Sequence, residues 1–302
     1  MSTIVISGVD GFVGRHVVDA VLDAGHSAWG IAREPISDER LRARLQRVAV
    51  ADLTAEWPEG FFGDAVVHLA GLAAVGPSFD APQEYITGNS SMVTHLGEAA
   101  LRSGRDGLRV IGVSSGSVYA GGSPHPLTET SPTAPTSPYV VSKLLVETQF
   151  AYYRTRGLRT TIVRPFNHVG PGQRPGFLIP DLVRRLCGLQ EGSALAVGNL
   201  DARRDYTDVR DVARAYVDLA LLDDSQPLYN VASGRSRSGR EILEMVCTAL
   251  GRPLPPLEVD PAFIRPNDPA EVVGDASLLR ATGWEPRTPL ERSIEDFVAS
   301  AV

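Results

Sequence analysis

A β-branched run at residues 3–7 leads through Gly8-Val9-Asp10-Gly11-Phe12-Val13-Gly14 into a stretch where Val13, Val17, Val18, Val21 and Leu22 recur at helical spacing. Strand, glycine turn and amphipathic helix in that order open a strand–helix–strand unit, which commits the next strand to lie parallel to the first. Gly25 stops the helix, predicted over residues 12–24. Apolar runs follow at 27–31, 47–50, 65–69, 109–113 and 159–163, with helical patterns between most of them. Strands this apolar are buried on both faces, so the pattern predicts an α/β fold with a doubly wound parallel sheet.

Beyond about residue 165 the texture changes. Residues 167–176 are rich in Pro and Gly, and the proline-laden stretch 252–269 cannot form one long helix. We read residues 1–165 as the dinucleotide-binding domain, with the chain returning to it at about 205–232. Residues 166–302 are then mainly a smaller C-terminal α/β lobe for substrate, set at the carboxyl ends of the strands, where doubly wound folds bind ligands.

The glycines are spaced G-x-x-G-x-x-G. They supply a tight turn, close backbone approach to a pyrophosphate and a helix N-terminus aimed at the anion, so a dinucleotide is expected there. The tip of the second strand selects the cofactor, because a carboxylate there suits the ribose hydroxyls of NAD and an arginine the extra phosphate of NADP. Gly30-Ile31-Ala32-Arg33 carries no acid, and Arg33 favours NADP(H) over NAD(H). Asp52 reads two ways, as an acceptor for the adenine amino group or as a cap for a helix over 54–57.

Charge and cysteine usage narrow the partners. The 302-residue chain carries 29 Lys+Arg against 36 Asp+Glu, a net charge of −7, the wrong sign for an electrostatic nucleic-acid binder. The two cysteines, Cys187 and Cys247, have neither a disulfide framework nor metal-ligand spacing and read as small packed hydrophobes. No basic leader precedes the first strand and no apolar run approaches the ~20 residues of a membrane span, so a cytoplasmic protein without bound metal is expected.

All the basic residues but one are arginine, and the exception is Lys143. Ser137 and Pro138 suit the start of a helix, on which Tyr139 and Lys143 project from one face at i and i+4. An ammonium beside a phenol stabilises the phenolate, so the spacing predicts a tyrosine with a lowered pKa that exchanges protons near neutrality. A guanidinium cannot mimic a compact ammonium, which makes the lone lysine a functional candidate.

Upstream, Val113-Ser114-Ser115-Gly116-Ser117 ends an apolar strand in hydroxyls. With the glycine loop, Ser115, Tyr139 and Lys143, the sequence resembles the extended short-chain dehydrogenase/reductase family, the branch that acts on nucleotide sugars. Further matches are His68-Leu69-Ala70-Gly71, Arg164-Pro165-Phe166-Asn167, Arg204-Asp205-Tyr206-Thr207-Asp208, Tyr229-Asn230-Val231-Ala232 and Arg265-Pro266-Asn267-Asp268. The resemblance spans essentially the whole chain and implies a Rossmann fold. It makes Tyr139 the acid/base, Lys143 its tuner and Ser115 the residue that holds the reacting sugar oxygen. It draws cofactor contacts from Gly8, Gly11, Phe12, Val13, Gly14, Arg33, Asp52, Leu53, Leu69, Ala70, Gly71 and Pro165, besides Tyr139 and Lys143. Asn167, Arg204 and Arg265 are the expected grips on the nucleotide diphosphate and its sugars, a role that Arg203 or Arg210 would share or take.

Relatives that dehydrate sugars carry an acid just after the catalytic Ser/Thr, where this chain has Gly116 and Ser117. Residues 164–173 and 204–212 look most like enzymes that reduce GDP-4-keto-6-deoxy-D-mannose to GDP-D-rhamnose. Reduction at C4 of a nucleoside-diphosphate 4-keto-6-deoxy sugar is therefore the leading expectation. An NAD-dependent 4-epimerase is the alternative, ahead of a 4,6-dehydratase and a non-catalytic cofactor-sensing regulator. The family resemblance also implies a homodimer through a four-helix bundle that includes the Tyr139 helix. Leu144, Leu145, Phe150 and Tyr153 suit either that surface or the core.

Overall fold

The computed structural model describes residues 1–190, 192–263 and 268–301. The chain alternates β1 (Thr3–Ser7), α1 (Phe12–Asp23), β2 (Ser27–Ala32), α2 (Glu39–Arg44), β3 (Arg47–Val50), β4 (Ala65–His68), α3 (Pro82–Arg102), β5 (Arg109–Val113), α4 (Pro138–Thr155) and β6 (Arg159–Pro165). It continues with β7 (Asn167–Val169), α5 (Leu178–Cys187), β8 (Leu195–Val197), β9 (Arg203–Asp208), α6 (Val209–Leu221), β10 (Leu228–Val231), β11 (Ser236–Ser238) and α7 (Gly239–Ala249). Last come β12 (Leu257–Val259), β13 (Glu271–Val272), α8 (Ser277–Arg280) and α9 (Leu290–Ala301).

Seven parallel strands form the central sheet in the order β10-β6-β5-β4-β1-β2-β3. The order reverses between β1 and β4, and that reversal opens the crevice in which such sheets bind ligands. One face of the sheet packs on α1 and α6 through Ile4, Ile6, Val17, Val21, Val212 and Tyr216. The other packs on α3 and α4 through Val5, Val66, Val93, Leu96, Val110 and Phe150. This two-sided burial is what the unbroken apolar strands require.

The chain returns to the central sheet with α6 and β10. Residues 205–208 lie instead in β9, which pairs with β7, β11 and β13 in a separate small sheet. Helices α5, α7 and α9 close over that sheet around Ile179, Leu182, Ile242, Leu243, Ile294 and Phe297. Cys247 joins this core, but Cys187, in the last turn of α5, is exposed, because the buried stripe of that helix ends at Leu186. Phe150 and Tyr153 face inward as core residues, while Leu145 stays exposed on α4. Among the described residues no helix is long and apolar enough to cross a membrane, and no group of three or more His, Cys, Asp or Glu is placed to hold a metal.

Candidate active site

The carboxyl ends of the central strands converge on one crevice, starting with the glycine turn. Gly8 takes φ +67° and its N–H donates to the Ile31 carbonyl, while the Gly11 N–H closes the turn on the Gly8 carbonyl at 3.0 Å. A Cβ on Gly14 would sit 2.3 Å from that same carbonyl oxygen, so the third glycine is what lets α1 start this close to the turn. The helix begins after Gly11 with no side-chain cap and no acid in its first turn. Free N–H groups and an uncompensated dipole suit a pyrophosphate, so the cradle fits a dinucleotide. Phe12 stacks on His168 at 5.9 Å, tying the start of α1 to β7, and Val13 lies partly buried against the core.

Beside the turn, β1 and β4 are clamped by a pair whose role the sequence did not reveal. The Ser7 hydroxyl accepts from the Leu69 and Ala70 N–H groups, both at 3.1 Å. Its one proton is then left for His68 Nδ1 at 2.8 Å, which makes His68 a neutral Nε2–H imidazole. Burial, aided by the Lys143 charge, holds His68 down at about 3 and keeps it neutral. Buried Asn89 fixes the next stretch by accepting from the Leu72 N–H and donating to Ser142 Oγ. Gly71 lies in this corner, where an added Cβ would be 3.8 Å from Lys143 Nζ. The adjacency of β1 and β4 and the packing of α3 on α4 bring these groups together.

At the tip of β2, Arg33 pairs with Asp52 at 3.6 Å across the ends of β2 and β3. The residues after Asp52 form a turn, not the helix that its capping role required, because the carboxylate binds Thr54 twice, through its N–H at 2.9 Å and its hydroxyl at 2.7 Å. These bonds hold the Asp52 carboxyl below its usual range. The Leu53 side chain is a core residue.

The catalytic candidates meet as the spacing predicted. Ser137 caps α4 by accepting from the Val140 N–H, and Tyr139 and Lys143 share one buried face, with Nζ 5.8 Å from the phenol ring centre. Ser115, two residues beyond the end of β5, accepts from the Ser117 N–H at 3.1 Å and acts on the Tyr139 phenol in the direction that lowers it. Lys143 donates to the Val113 carbonyl at 3.0 Å and so spans from α4 to β5. The expected lowering of the phenol is not what this geometry produces. Burial pushes Tyr139 up, offset in part by Ser115, because the ring is shielded from water while the ammonium is engaged with a carbonyl. Burial also pulls Lys143 itself down to about 8.

The arginines of the second lobe divide by partner. Asn167 stands opposite Tyr206 in the β7–β9 pairing, and Arg204 is two residues along β9, so the three share one face of the small sheet. Arg204 ion-pairs with Asp268 at 2.7 Å and stays partly accessible. Arg203 is bound to Glu241 and Glu271, and Arg210 is locked between Asp208 and Asp296 at the foot of α6. Arg210 is therefore tied by carboxylates on both sides. Pro165 ends β6 beside Val231. Arg265 lies outside the described residues.

Comparison with known proteins agrees with this architecture. The sequence profile described as the NAD dependent epimerase/dehydratase family matches residues 4–232. GDP-6-deoxy-D-mannose reductase of Pseudomonas aeruginosa is 33% identical over 97% of this chain and 95% of its own length. The structure of RMD from Pseudomonas aeruginosa complexed with NADPH superposes with TM-score 0.83 at 30% identity, covering 99% of this chain and 98% of that one. UDP-glucose-4-epimerase from Stenotrophomonas maltophila, with bound NAD and formylated UDP-arabinopyranose, gives TM-score 0.87 at 26% identity over 100% and 98% of the two chains. A glycine cradle fitted to a dinucleotide beside a buried Ser115, Tyr139 and Lys143, on a fold shared from end to end with these enzymes, places the chain in the NAD dependent epimerase/dehydratase family of extended short-chain dehydrogenases/reductases, as a nucleotide-sugar oxidoreductase that uses NAD(P).

Proposed function

We propose that the protein reduces a nucleoside-diphosphate 4-keto-6-deoxy sugar at C4 with NADPH, GDP-4-keto-6-deoxy-D-mannose to GDP-D-rhamnose being the leading case. The observation that carries this reading is the tip of β2, where Arg33 stands and no acid does, in a chain 33% identical to a GDP-6-deoxy-D-mannose reductase. Gly116 and Ser117 after Ser115 argue against dehydration, which needs a carboxylate to remove a proton from C5.

Residues 1–165, with the returning α6 and β10, hold the dinucleotide. Gly8, Gly11, Phe12, Val13 and Gly14 receive its pyrophosphate, and Arg33 receives the 2′-phosphate. Asp52 and Leu53 flank the adenine, and Leu69, Ala70, Gly71 and Pro165 line the way to the nicotinamide. Residues 166–302 mainly bind the nucleotide sugar through Asn167, Arg204 and Arg265. When bound, NADPH supplies a hydride to the sugar carbonyl carbon. Ser115 hydrogen-bonds the C4 oxygen and Tyr139 gives it a proton as negative charge develops. Lys143 steadies the phenolate that remains. A homodimer through α3 and α4, in the cytoplasm, completes the reading.

Following absorbance of NADPH and NADH with GDP-4-keto-6-deoxymannose and its dTDP counterpart tests it. Stoichiometric NADPH consumption, with GDP-rhamnose formed, is expected. No consumption with either keto sugar, alongside cofactor that stays bound through purification, supports the NAD-dependent 4-epimerase, a reading favoured by the likeness to UDP-glucose-4-epimerase.

A further inference from the structure

On α4 the residues one turn apart from Tyr139 and Lys143 continue to Glu147, so a phenol, an ammonium and a carboxylate line one helix face at i, i+4 and i+8. Both Lys143 and Glu147 are largely withdrawn from water. Buried ions are tolerated only when countered by charge and hydrogen bonds. Among the described residues Lys143 forms no ion pair, and its one hydrogen bond goes to the neutral Val113 carbonyl.

Glu147 is fixed from three directions. One carboxylate oxygen accepts from the Ser114 hydroxyl at 2.5 Å and from Arg164 Nε at 2.9 Å, and the other accepts from Arg164 NH2 at 2.7 Å. Arg164 is held in turn by the Glu129 carbonyl and lies 4.8 Å over the Tyr119 ring. One buried carboxylate is thus bonded to Arg164 and stands one helical turn from the buried Lys143 ammonium. The groups that bear on Lys143 are Tyr139 and Glu147 on its own helix, neutral His68 on β4 and Arg164 behind Glu147 on β6. Glu147 is the one anion among them.

We propose that Glu147 is a positioning residue for the reaction: the fixed counter-charge that keeps Lys143 an ammonium inside the catalytic helix, with Ser114 and Arg164 orienting its carboxylate. Burial lowers the Lys143 ammonium, and the Glu147 charge raises it. The inference deepens the reading of the Tyr139–Lys143 pair given above and rests on it, yet its main test needs no substrate.

That test exploits the single lysine. Protein grown on 13Cε-lysine gives one lysine signal, so the Lys143 titration is read directly in the intact chain. In Glu147→Gln the midpoint is expected to fall by about one unit or more, because two cations then face a neutral amide. An unchanged midpoint in the folded variant overturns the proposal. Should Glu147→Gln fail to fold, the double variant Glu147→Leu, Arg164→Met removes both buried charges. Its midpoint is also expected below that of the parent, since the carboxylate is one turn from Lys143 and Arg164 lies beyond it, and an equal midpoint overturns the proposal. In turnover the alkaline limb of the pH profile should move down with the signal. A parent protein inert towards every keto sugar would remove the reductase reading and leave the titration result standing.

Discussion

Replacing Tyr139 by phenylalanine removes one hydroxyl from a ring that packing already holds, so the change isolates chemistry from structure. Turnover in Tyr139→Phe should fall about 10²- to 10⁴-fold, the usual worth of a general acid, while dinucleotide affinity stays unchanged in a fluorescence titration. Lys143→Arg keeps the charge but brings a planar fork into a space that fits an ammonium 3.0 Å from the Val113 carbonyl. Its turnover should collapse as well, and a near-normal rate would remove the role given to the lysine. At the other end of the crevice, Arg33 is largely exposed and only lightly held by Asp52, so it is free to meet a phosphate. If Arg33 receives the 2′-phosphate as proposed, Arg33→Ala should lower kcat/KM for NADPH relative to NADH about 10- to 100-fold, the worth of one charge-assisted contact.

Among the elements, the seam between β1 and β4 is held by Ser7 and His68, and this seam has a pH signature. In the unfolded chain a histidine binds its proton near 6.5, but in the fold His68 resists protonation down to about 3. Between those values the unfolded state holds more protons, so stability contributed above pH 6.5 is lost as the pH falls, by about 2 kcal/mol at pH 5. Thermal melts should show a steeper decline from pH 7 to 5 in the parent than in His68→Gln, whose amide can still accept from Ser7. The same seam shows where sequence stops being informative. Strands and helices announce themselves by period, and Ser115, Tyr139 and Lys143 by spacing and by the rarity of lysine. Ser7, Asn89 and Glu147 have no such mark, because each hydrogen-bonds partners 17 to 63 residues away that only the strand order and the α3–α4 packing bring near. The arginines are ambiguous for the same reason: Arg203, Arg204 and Arg210 read alike in sequence, and only the fold shows which carboxylates each one meets.

For the whole molecule, α4 presents two faces with different duties. Tyr139, Lys143, Val146, Phe150 and Tyr153 point inward, which places the Tyr139–Lys143 pair in the same packing as the core. Val141, Leu145, Thr148 and Tyr152, at steps of four, three and four, run along the other side, and none of them is charged. Leu145 and Tyr152 are among the exposed large apolar residues of the chain. A stripe with this period suits helix-on-helix packing at a shallow angle, the geometry of a four-helix bundle made from α3 and α4 of two copies. A charge at the centre of such a seam would be buried without a partner, at a cost that disfavours association. Leu145→Glu should therefore shift sedimentation from dimer to monomer at micromolar protein while the fold melts as before. Because the inward face of α4 carries Tyr139 and Lys143, loss of the seam should also loosen that pair and lower turnover. A parent protein that sediments as a monomer would dismiss the bundle, and a dimeric Leu145→Glu variant would move the interface elsewhere.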